Sequence, residues 1–495
     1  MKKIVSGIIV VVMVVAMLLT LTACNDYKWD AVGTKEYSSQ EAQGNGTLAV
    51  QQGNYLYFVN NVADDSSLTK DENKWGANGV NGAIMKATIN EDGSLTVLGI
   101  VVPKMFYTDT TNAGLYVYGE WIYYVARSQK TDNKGNLLSS LEFMRTLTDG
   151  TKTESIAIVE DLTTNYIYTK TGLLYTLDSN IHYVDYSGKK IKDSTIVEEY
   201  TDILVSEENL CMFYTKASDS DYILGNNLGV VLSDGSTKTI ISESAYHEGD
   251  SDYRDDLSNL FTLDIIEYDA SENSIYYTKT CRDADASVTT NGYAIPEDYT
   301  FNKANEKTYA LSALSKIYPI ALDKGIIDVS STTLVAYAPM TDDIHEVKSD
   351  EVTVTSTITI LYEQGNYVYY TMSSLLYRST LIKDGTLNKN AIEEKISSVK
   401  MGSKYGTPSL LGDYIYYESS DDATYLSRIK VTSYNEDTQE LISGYIVSGY
   451  TEYTYPDDAD YVINEDDEAI KDKVPAYITD TDLETYITSH KTTNS

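Results

Sequence analysis

Few residues of this 495-residue chain have a type and spacing that could do chemistry. The sequence has no Cys-x-x-Cys pair, no His-Glu-x-x-His motif, no Gly-x-Ser-x-Gly turn and no glycine-rich phosphate loop. Only four histidines exist, and His182 takes an aromatic position in a strand pattern, which favours a packed, hydrogen-bonded side chain. The 74 acidic residues are too many for a glycosidase-like carboxylate pair to be recognised. We therefore predict no catalytic and no cofactor-binding residue.

One insertion is rich in the oxygen ligands that Ca²⁺ prefers. His247-Glu248-Gly249-Asp250-Ser251-Asp252 continues to Asp255-Asp256. The spacing does not match a known loop such as the EF-hand. We favour a solvated acidic loop, with calcium binding as the alternative, and we predict no metal ligand.

The N-terminus carries the clearest chemical pattern. Lys2 and Lys3 precede an almost wholly apolar run over residues 4–21, which leads into Leu21-Thr22-Ala23-Cys24. This order resembles the signal and lipobox of bacterial lipoproteins. The resemblance implies that residues 1–23 are a cleaved signal peptide and that Cys24 carries diacylglycerol and a further acyl chain such as palmitate. The alternative is an uncleaved membrane anchor, since the run approaches spanning length. Either reading places the rest of the chain outside the cytoplasm.

Two further cysteines, Cys211 and Cys281, allow at most one disulfide. They lie in similar segments that share Tyr-Thr-Lys, and this alignment matches Cys211 to Ser274 rather than to Cys281. If both segments are equivalent strands of neighbouring units, the offset of about 23 Å at ~3.3 Å per residue prevents pairing. We expect two buried, inert thiols.

A repeated phrase organises the chain that surrounds these residues. Each copy is a polar turn followed by an apolar residue and aromatic residues, and the spacing between copies varies from 29 to 66 residues. The eight copies begin at Gly53, Gly119, Ser179, Glu208, Glu272, Thr332, Gly365 and Gly412.

The phrase predicts antiparallel β-hairpins. Most copies follow a short apolar run, so that two β-favouring runs flank a tight turn. Asp-Gly turns at Asp92, Asp149, Asp234 and Asp384 indicate a second hairpin per unit, and we assign them to type I′. Four strands in each unit of 40–50 residues predict an all-β protein, a β-propeller of about seven or eight four-stranded blades.

The propeller reading is supported by a family resemblance. Tyr276-Tyr277-Thr278-Lys279 and Leu376-Tyr377-Arg378, the latter followed by Asp384-Gly385-Thr386, are similar to the blade pattern of low-density-lipoprotein-receptor-type propellers, with its Tyr-Trp-Thr-Asp phrase. The resemblance covers roughly residues 46–455, and only the unit around 365–386 matches at full length. It implies a tyrosine-rich surface lipoprotein propeller of a group whose function is unknown.

The flanks of the propeller differ from it in composition. We divide the chain into a signal peptide (1–23), the lipidated cysteine with a polar tether (24–46), the propeller (47–455) and an acidic tail (456–495) in which Thr481 and Glu484 suit a capping box for a short helix. Leu48-Ala49-Val50 is expected to complete the last blade and close the ring.

Composition excludes several function classes. A net charge of −36 supplies no basic surface for nucleic acid or for anionic lipid headgroups, so lipid chains rather than charge must hold the protein to the membrane. With no catalytic motif, we expect an extracytoplasmic, membrane-anchored propeller that binds a protein, peptide or glycan. The alternative is an extracellular polysaccharide-active hydrolase or lyase with scattered carboxylates or tyrosines.

The lipoprotein reading predicts a simple result. Cys24→Ser removes the thiol that accepts the lipid, so it should abolish metabolic labelling with a radioactive fatty acid and prevent normal signal-peptide processing. Cys281→Ser is the matched control and should leave both unchanged. Labelling that survives Cys24→Ser would contradict the lipoprotein reading.

Overall fold

A computed structural model describes most of the chain between residues 32 and 441. The described residues are 32, 35–60, 83–102, 105, 114–128, 133–134, 140–161, 164–188, 191–218, 225–248, 260–281, 288–309, 316–340, 348–364, 367–383, 386–388, 390–391, 393–396, 408–418, 426–431 and 439–441.

These residues form eight four-stranded antiparallel sheets that follow one another along the chain. Blade 1 comprises β1 (Ala49–Gln52), β2 (Tyr55–Asn60), β3 (Ala83–Ile89) and β4 (Leu95–Val102). Blade 2 comprises β5 (Tyr116–Tyr118), β6 (Trp121–Arg127), β7 (Leu141–Leu147) and β8 (Thr153–Val159). Blade 3 comprises β9 (Tyr166–Tyr168), β10 (Gly172–Leu177), β11 (Asn180–Asp185) and β12 (Lys192–Val197). Blade 4 comprises β13 (Tyr200–Ser206), β14 (Cys211–Ala217), β15 (Asn226–Val231) and β16 (Thr237–Ile241).

The second half repeats this arrangement. Blade 5 comprises β17 (Phe261–Asp269), β18 (Ser274–Cys281), β19 (Val288–Ala294) and β20 (Glu306–Thr308). Blade 6 comprises β21 (Ile317–Ala321), β22 (Gly325–Asp328), β23 (Thr333–Tyr337) and β24 (Lys348–Thr353). Blade 7 comprises β25 (Ile358–Gln364), β26 (Tyr367–Met372), β27 (Leu375–Ser379) and β30 (Glu393–Lys395). Blade 8 comprises β31 (Ser409–Leu411), β32 (Tyr414–Glu418), β33 (Leu426–Lys430) and β34 (Gln439–Leu441).

In the described part of the chain, three short elements lie outside the blades. Helix α1 (Glu243–Tyr246) follows blade 4, and a 3₁₀ turn (Lys303–Asn305) precedes β20. The hairpin of β28 (Ile382–Lys383) and β29 (Thr386–Leu387) is inserted before β30. No helix of the described part of the chain is long and apolar enough to cross a membrane.

The chain is an eight-bladed β-propeller, which confirms the predicted fold class and decides the blade number. The first strand of blade 1 lies next to the first strands of blades 2 and 8. The first strand of each blade is therefore the inner one, and the turns between first and second strands lie on the same face as those between third and fourth strands. We call this the turn face.

The eight repeated phrases mark eight blades, but two of them mark a different turn. Five phrases lie at described turns between the first and second strands, as at Gly53 and Gly119, and the turn residues of the phrase at Gly365 lie outside the described residues. The phrases at Ser179 and Thr332 instead lie between the second and third strands of blades 3 and 6. This shift by one strand accounts for the shortest spacing, 29 residues from Ser179 to Glu208.

The Asp-Gly pairs form hairpin turns whose type differs from the prediction. Gly93 has φ 82°, whereas Asp92 is not among the positive-φ residues, so the turn is not type I′. The Asp92 carboxylate instead accepts hydrogen bonds from the backbone N–H of Ser94 at 2.9 Å and from its hydroxyl at 2.6 Å. Asp149 and Asp234 repeat these contacts in blades 2 and 4. Asp384 and Gly385 lie outside the described residues, and the strands on either side of them, β28 and β29, pair as an inserted two-stranded sheet.

Tyrosine side chains join neighbouring blades through their hydroxyl groups. Tyr118 of blade 2 donates to the Tyr168 carbonyl of blade 3 at 2.8 Å, and the Tyr168 hydroxyl donates to the Tyr124 carbonyl of blade 2 at 2.7 Å. Tyr309 likewise reaches the Leu322 carbonyl at the end of the first strand of blade 6. Phenylalanine would bury the same ring without these bonds, which explains why most of the buried aromatic rings among the described residues belong to tyrosine.

The ring closes by packing between complete blades, so the prediction that Leu48-Ala49-Val50 completes the last blade is wrong. Ala49–Gln52 is the inner strand of blade 1, and blade 8 takes all four strands from residues 409–441. Arg428 of blade 8 donates to the Gly93 carbonyl at 2.9 Å, and the Thr47 and Ser409 hydroxyls are hydrogen-bonded. The closure is therefore noncovalent and uses side chains rather than a shared sheet.

A single hydroxyl tests the inter-blade bonds. Tyr168→Phe removes the donor to the Tyr124 carbonyl in a site from which water is excluded, so we expect the free energy of unfolding to fall by about 1–3 kcal/mol. Tyr37→Phe, at a side chain that is 45% exposed, should change it by less than about 0.5 kcal/mol. Urea unfolding measures both, and equal effects would contradict the proposed role of the hydroxyl.

Candidate functional site

The chain before β1 enters the central channel along the inner side of β1. Gln43 and Gln51 exchange two backbone hydrogen bonds, at 2.8 and 3.0 Å, so that the segment runs antiparallel to β1 on its inner side. Thr47 pairs with Leu115 just before blade 2. Residues 43–47 are thus an additional, innermost piece of chain, and it contains a turn in which the Thr47 N–H donates to the Gly44 carbonyl at 3.2 Å. We call residues 35–47 the channel segment.

The channel segment passes through a space that admits only glycine at two positions. Gly44 has φ 81°, and a Cβ there would lie 2.7 Å from the Ala49 carbonyl oxygen. Gly46 has φ 88°, and its Cβ would lie 2.8 Å from the carboxyl carbon of Glu207 in blade 4. Gly-Asn-Gly, which composition alone makes typical of a tether, is here a fitted turn inside the ring.

Polar contacts hold the channel segment to several blades. Asn45 accepts the Val117 backbone N–H at 2.8 Å. Glu41 accepts a hydrogen bond from the Lys170 ammonium of blade 3, which lowers the pKa of the Glu41 carboxyl. This exposed ion pair adds little to the stability of the protein, but it holds the Glu41 carboxylate next to the Lys170 ammonium.

A buried lysine lies under the outer part of the channel segment. Lys86 in β3 is completely buried, donates to the Glu36 carbonyl at 2.5 Å and lies 4.4 Å from the centre of the Tyr55 ring. Burial lowers the pKa of Lys86 to about 8, against an opposing effect of the nearby carboxylates. The channel segment therefore covers a group that water would otherwise solvate.

A cavity of about 940 Å³ opens beside the channel segment on the turn face. Its wall includes both the segment and inner residues of blades 1, 2, 3, 4, 7 and 8. Aromatic lining residues are Tyr37, Tyr118, Trp121, Tyr123 and Tyr362. Charged lining residues are Glu41, Lys170, Glu207 and Glu208. This volume accommodates several residues of a peptide or a few sugar rings.

The aromatic side of the cavity is held in place by neighbouring cations and rings. The Arg145 guanidinium lies 4.5 Å from the centre of the Trp121 ring and donates to Glu154 at 2.6 Å through Nη2. Tyr123 stacks on Tyr186 with ring centres 5.3 Å apart. The rings therefore present a preorganised surface rather than adjustable side chains.

The cavity tyrosines act as hydrogen-bonding groups rather than as bases. Burial raises the pKa of the Tyr118, Tyr123 and Tyr362 hydroxyls, so they stay protonated at neutral pH. Carboxylates outnumber the single lining ammonium, Lys170. The arrangement therefore suits a ligand that offers O–H, N–H or cationic groups together with a face that stacks on aromatic rings.

The structure tests some of the residues that the sequence singled out. Cys24, the segment 249–256 of the acidic insertion and the whole tail lie outside the described residues. His182 stacks on Tyr175 with ring centres 4.7 Å apart and has Nδ1 3.6 Å from an Asp193 oxygen, which confirms a packed histidine. Among the described residues no group of three His, Cys, Asp or Glu side chains could hold a metal ion.

The remaining cysteines agree with their predicted separation. Cys211 and Ser274 begin equivalent second strands, and both Cys211 and Cys281 are free thiols. Burial raises the pKa of Cys211 to about 12, so this thiol is inert at neutral pH. Cys281 is only half-buried, contrary to the expectation that both are buried.

Sequence reasoning missed the channel segment and the cavity. We expect residues 24–46 to be a polar tether from their composition, whereas Glu36 and Ser38 contact blade 1 and residues 43–47 are hydrogen-bonded to β1 and Leu115. Gly44 and Gly46, two residues apart and just before the first strand, are the sequence feature that could indicate a fitted turn. A flexible linker has the same composition, so this feature does not distinguish the two.

Comparisons with known proteins add no functional assignment. No family model matches the chain, and no curated protein matches its sequence. Solved structures that resemble it include apo AztD from Citrobacter koseri, with 8% identity over 73% of this chain and 94% of that chain and a TM-score of 0.34. Porphyromonas gingivalis dipeptidyl peptidase 4 has 9% identity over 81% and 60% of the two chains, with a TM-score of 0.38. A functionally unknown protein from Desulfotomaculum acetoxidans has 10% identity over 63% and 93%, with a TM-score of 0.32. These similarities carry no argument about function.

The close fit of the channel segment gives a matched pair of variants. Gly44→Ala meets both an unfavourable φ and the Ala49 backbone carbonyl oxygen, so we expect a loss of about 2–4 kcal/mol of unfolding free energy and faster tryptic cleavage after Lys35. Gly119→Ala has φ 59° but no atom within 4 Å of the added Cβ, so it should cost about 1–2 kcal/mol. Equal losses and unchanged cleavage would show that the segment does not occupy the channel.

Proposed function

We propose that the protein is a membrane-anchored, extracytoplasmic lipoprotein whose propeller binds a ligand in the turn-face cavity without transforming it. The lipid anchor rests on Cys24 and the apolar run before it. The binding role rests on one observation: a cavity of about 940 Å³ whose wall combines fixed aromatic rings with carboxylates and hydroxyls.

The chemistry of the wall supports binding better than catalysis. Neither of the described histidines, His182 and His247, lines the cavity. The cavity tyrosines have raised pKa values, which suits hydrogen bonding and disfavours proton abstraction at neutral pH. Together with aromatic stacking, these groups fit an extracytoplasmic peptide, protein segment or glycan. The resemblance to low-density-lipoprotein-receptor-type propellers agrees with this role and adds no ligand.

A ligand screen with matched variants tests the proposal. The protein without residues 1–24 should bind a subset of peptides, glycans or cell-wall fragments on an array. Glu208→Gln removes an exposed charge at the cavity and should weaken that binding at least about fivefold. Glu272→Gln is the control, because Glu272 occupies the same turn in blade 5 and does not line the cavity.

The same samples distinguish binding from catalysis. Bound fragments recovered after incubation should be unchanged in mass, since the proposal includes no bond cleavage. Turnover of any fragment would favour the polysaccharide-active enzyme instead. Equal weakening by Glu208→Gln and Glu272→Gln would show that the ligand binds elsewhere.

A further inference from the structure

The N-terminal chain approaches the propeller on one particular face. Val32 packs against the hydrophobic cluster shared by blades 1, 2 and 8. Glu36 then contacts blade 1 twice, since its carboxylate accepts the Tyr55 hydroxyl at 2.9 Å and its carbonyl accepts Lys86. Ser38 lies so close to Gly53 that an added Cβ would be 2.4 Å from its hydroxyl oxygen. Gly53 belongs to the turn between β1 and β2, so the chain arrives on the turn face.

The distance from the lipidated cysteine to this face is limited by covalent geometry alone. Eight residue steps separate Cys24 from Val32 in the sequence. At no more than about 3.6 Å per residue, they span at most about 29 Å whatever their conformation. The earlier expectation of a tether through residue 46 would have allowed a much longer reach. Docking of the segment before β1 removes that freedom.

The two faces of the propeller differ in distance from the attachment point. Blade strands such as β10, Gly172–Leu177, have six residues. At about 3.3 Å per residue, the opposite face lies roughly 20 Å beyond the turn face. The attachment point and the cavity share the turn face, because Lys170 and Gly119 of the cavity wall belong to the same set of turns as Gly53.

We propose that the channel segment is a strap that orients the propeller, so that the cavity-bearing turn face lies toward the bilayer within about 30 Å of the lipidated Cys24. This inference rests on the lipid anchor proposed above. The turn face thus lies next to a lipid surface. The net charge of −36 prevents the protein from binding to anionic lipids by electrostatic attraction. The cavity takes its ligand from the narrow layer between propeller and membrane, and the opposite face points away from the cell surface.

Two positions at opposite ends of β10 report the orientation. Thr171 is exposed on the turn face, and Ser179 is exposed at the far end of the same strand. The lipidated full-length protein is reconstituted in phosphatidylcholine vesicles that contain a lipid-bound energy-transfer acceptor. Thr171→Cys and Ser179→Cys are each labelled with a donor dye in a Cys281→Ser background, in which Cys24 carries lipid and Cys211 is buried.

The expected result is clearly greater energy transfer from position 171 than from position 179. A 20-residue Gly-Ser insertion after Asp30 should abolish most of that difference, because it lengthens the reach without touching the propeller. Equal transfer from both labels, or greater transfer from position 179, in a lipidated protein would overturn the orientation alone. A protein that carries no lipid at Cys24 would overturn the anchor and the orientation together.

Discussion

The passage of the backbone through the centre of the ring is the constraint on which the rest of the structure depends. Residues 43–47 lie on the inner side of β1, and a Cβ added to Gly44 would lie 2.7 Å from the Ala49 carbonyl oxygen. Backbone hydrogen bonds of Gln43, Gly46 and Thr47 with β1 and Leu115 hold this main chain in place. The cavity is the space between this chain and the inner residues of the blades. The course of the channel segment therefore determines both the wall of the cavity and its position on the turn face.

A ring of eight separate sheets also needs contacts between sheets, and tyrosine supplies many of them. A buried phenol combines ring packing with a hydroxyl that reaches the backbone of the next blade, as Tyr168 and Tyr309 do. The last boundary depends on other groups, because Arg428 and Ser409 join blade 8 to blade 1. No strand is shared at this boundary, as at the other boundaries of the ring, because each blade is a complete four-stranded sheet.

Much of the fold could be predicted from local patterns, because the strands and turns of each blade lie within about 50 residues of sequence. The range of seven or eight blades, the antiparallel pairing and the mismatch of Cys211 with Cys281 all follow from short local sequence patterns, and the structure decides for eight blades. The phrases at Ser179 and Thr332 mark a different hairpin of their blades from the other phrases, and the local pattern does not distinguish the two, because any hairpin of a blade uses similar residues. The channel segment and the cavity depend on contacts between residues far apart in sequence, such as Gly46 with Glu207, which no local pattern reveals.

Hydrogen exchange of the backbone amides of the channel segment tests the central claim most directly. The amides of Gln43 and Gly46 donate to carbonyls of Gln51 and Leu115, inside the ring. We expect them to exchange as slowly as those of β2, because opening them requires the ring itself to open. Exchange at the rate of an unfolded peptide, with β2 still protected, would contradict a chain that fills the channel.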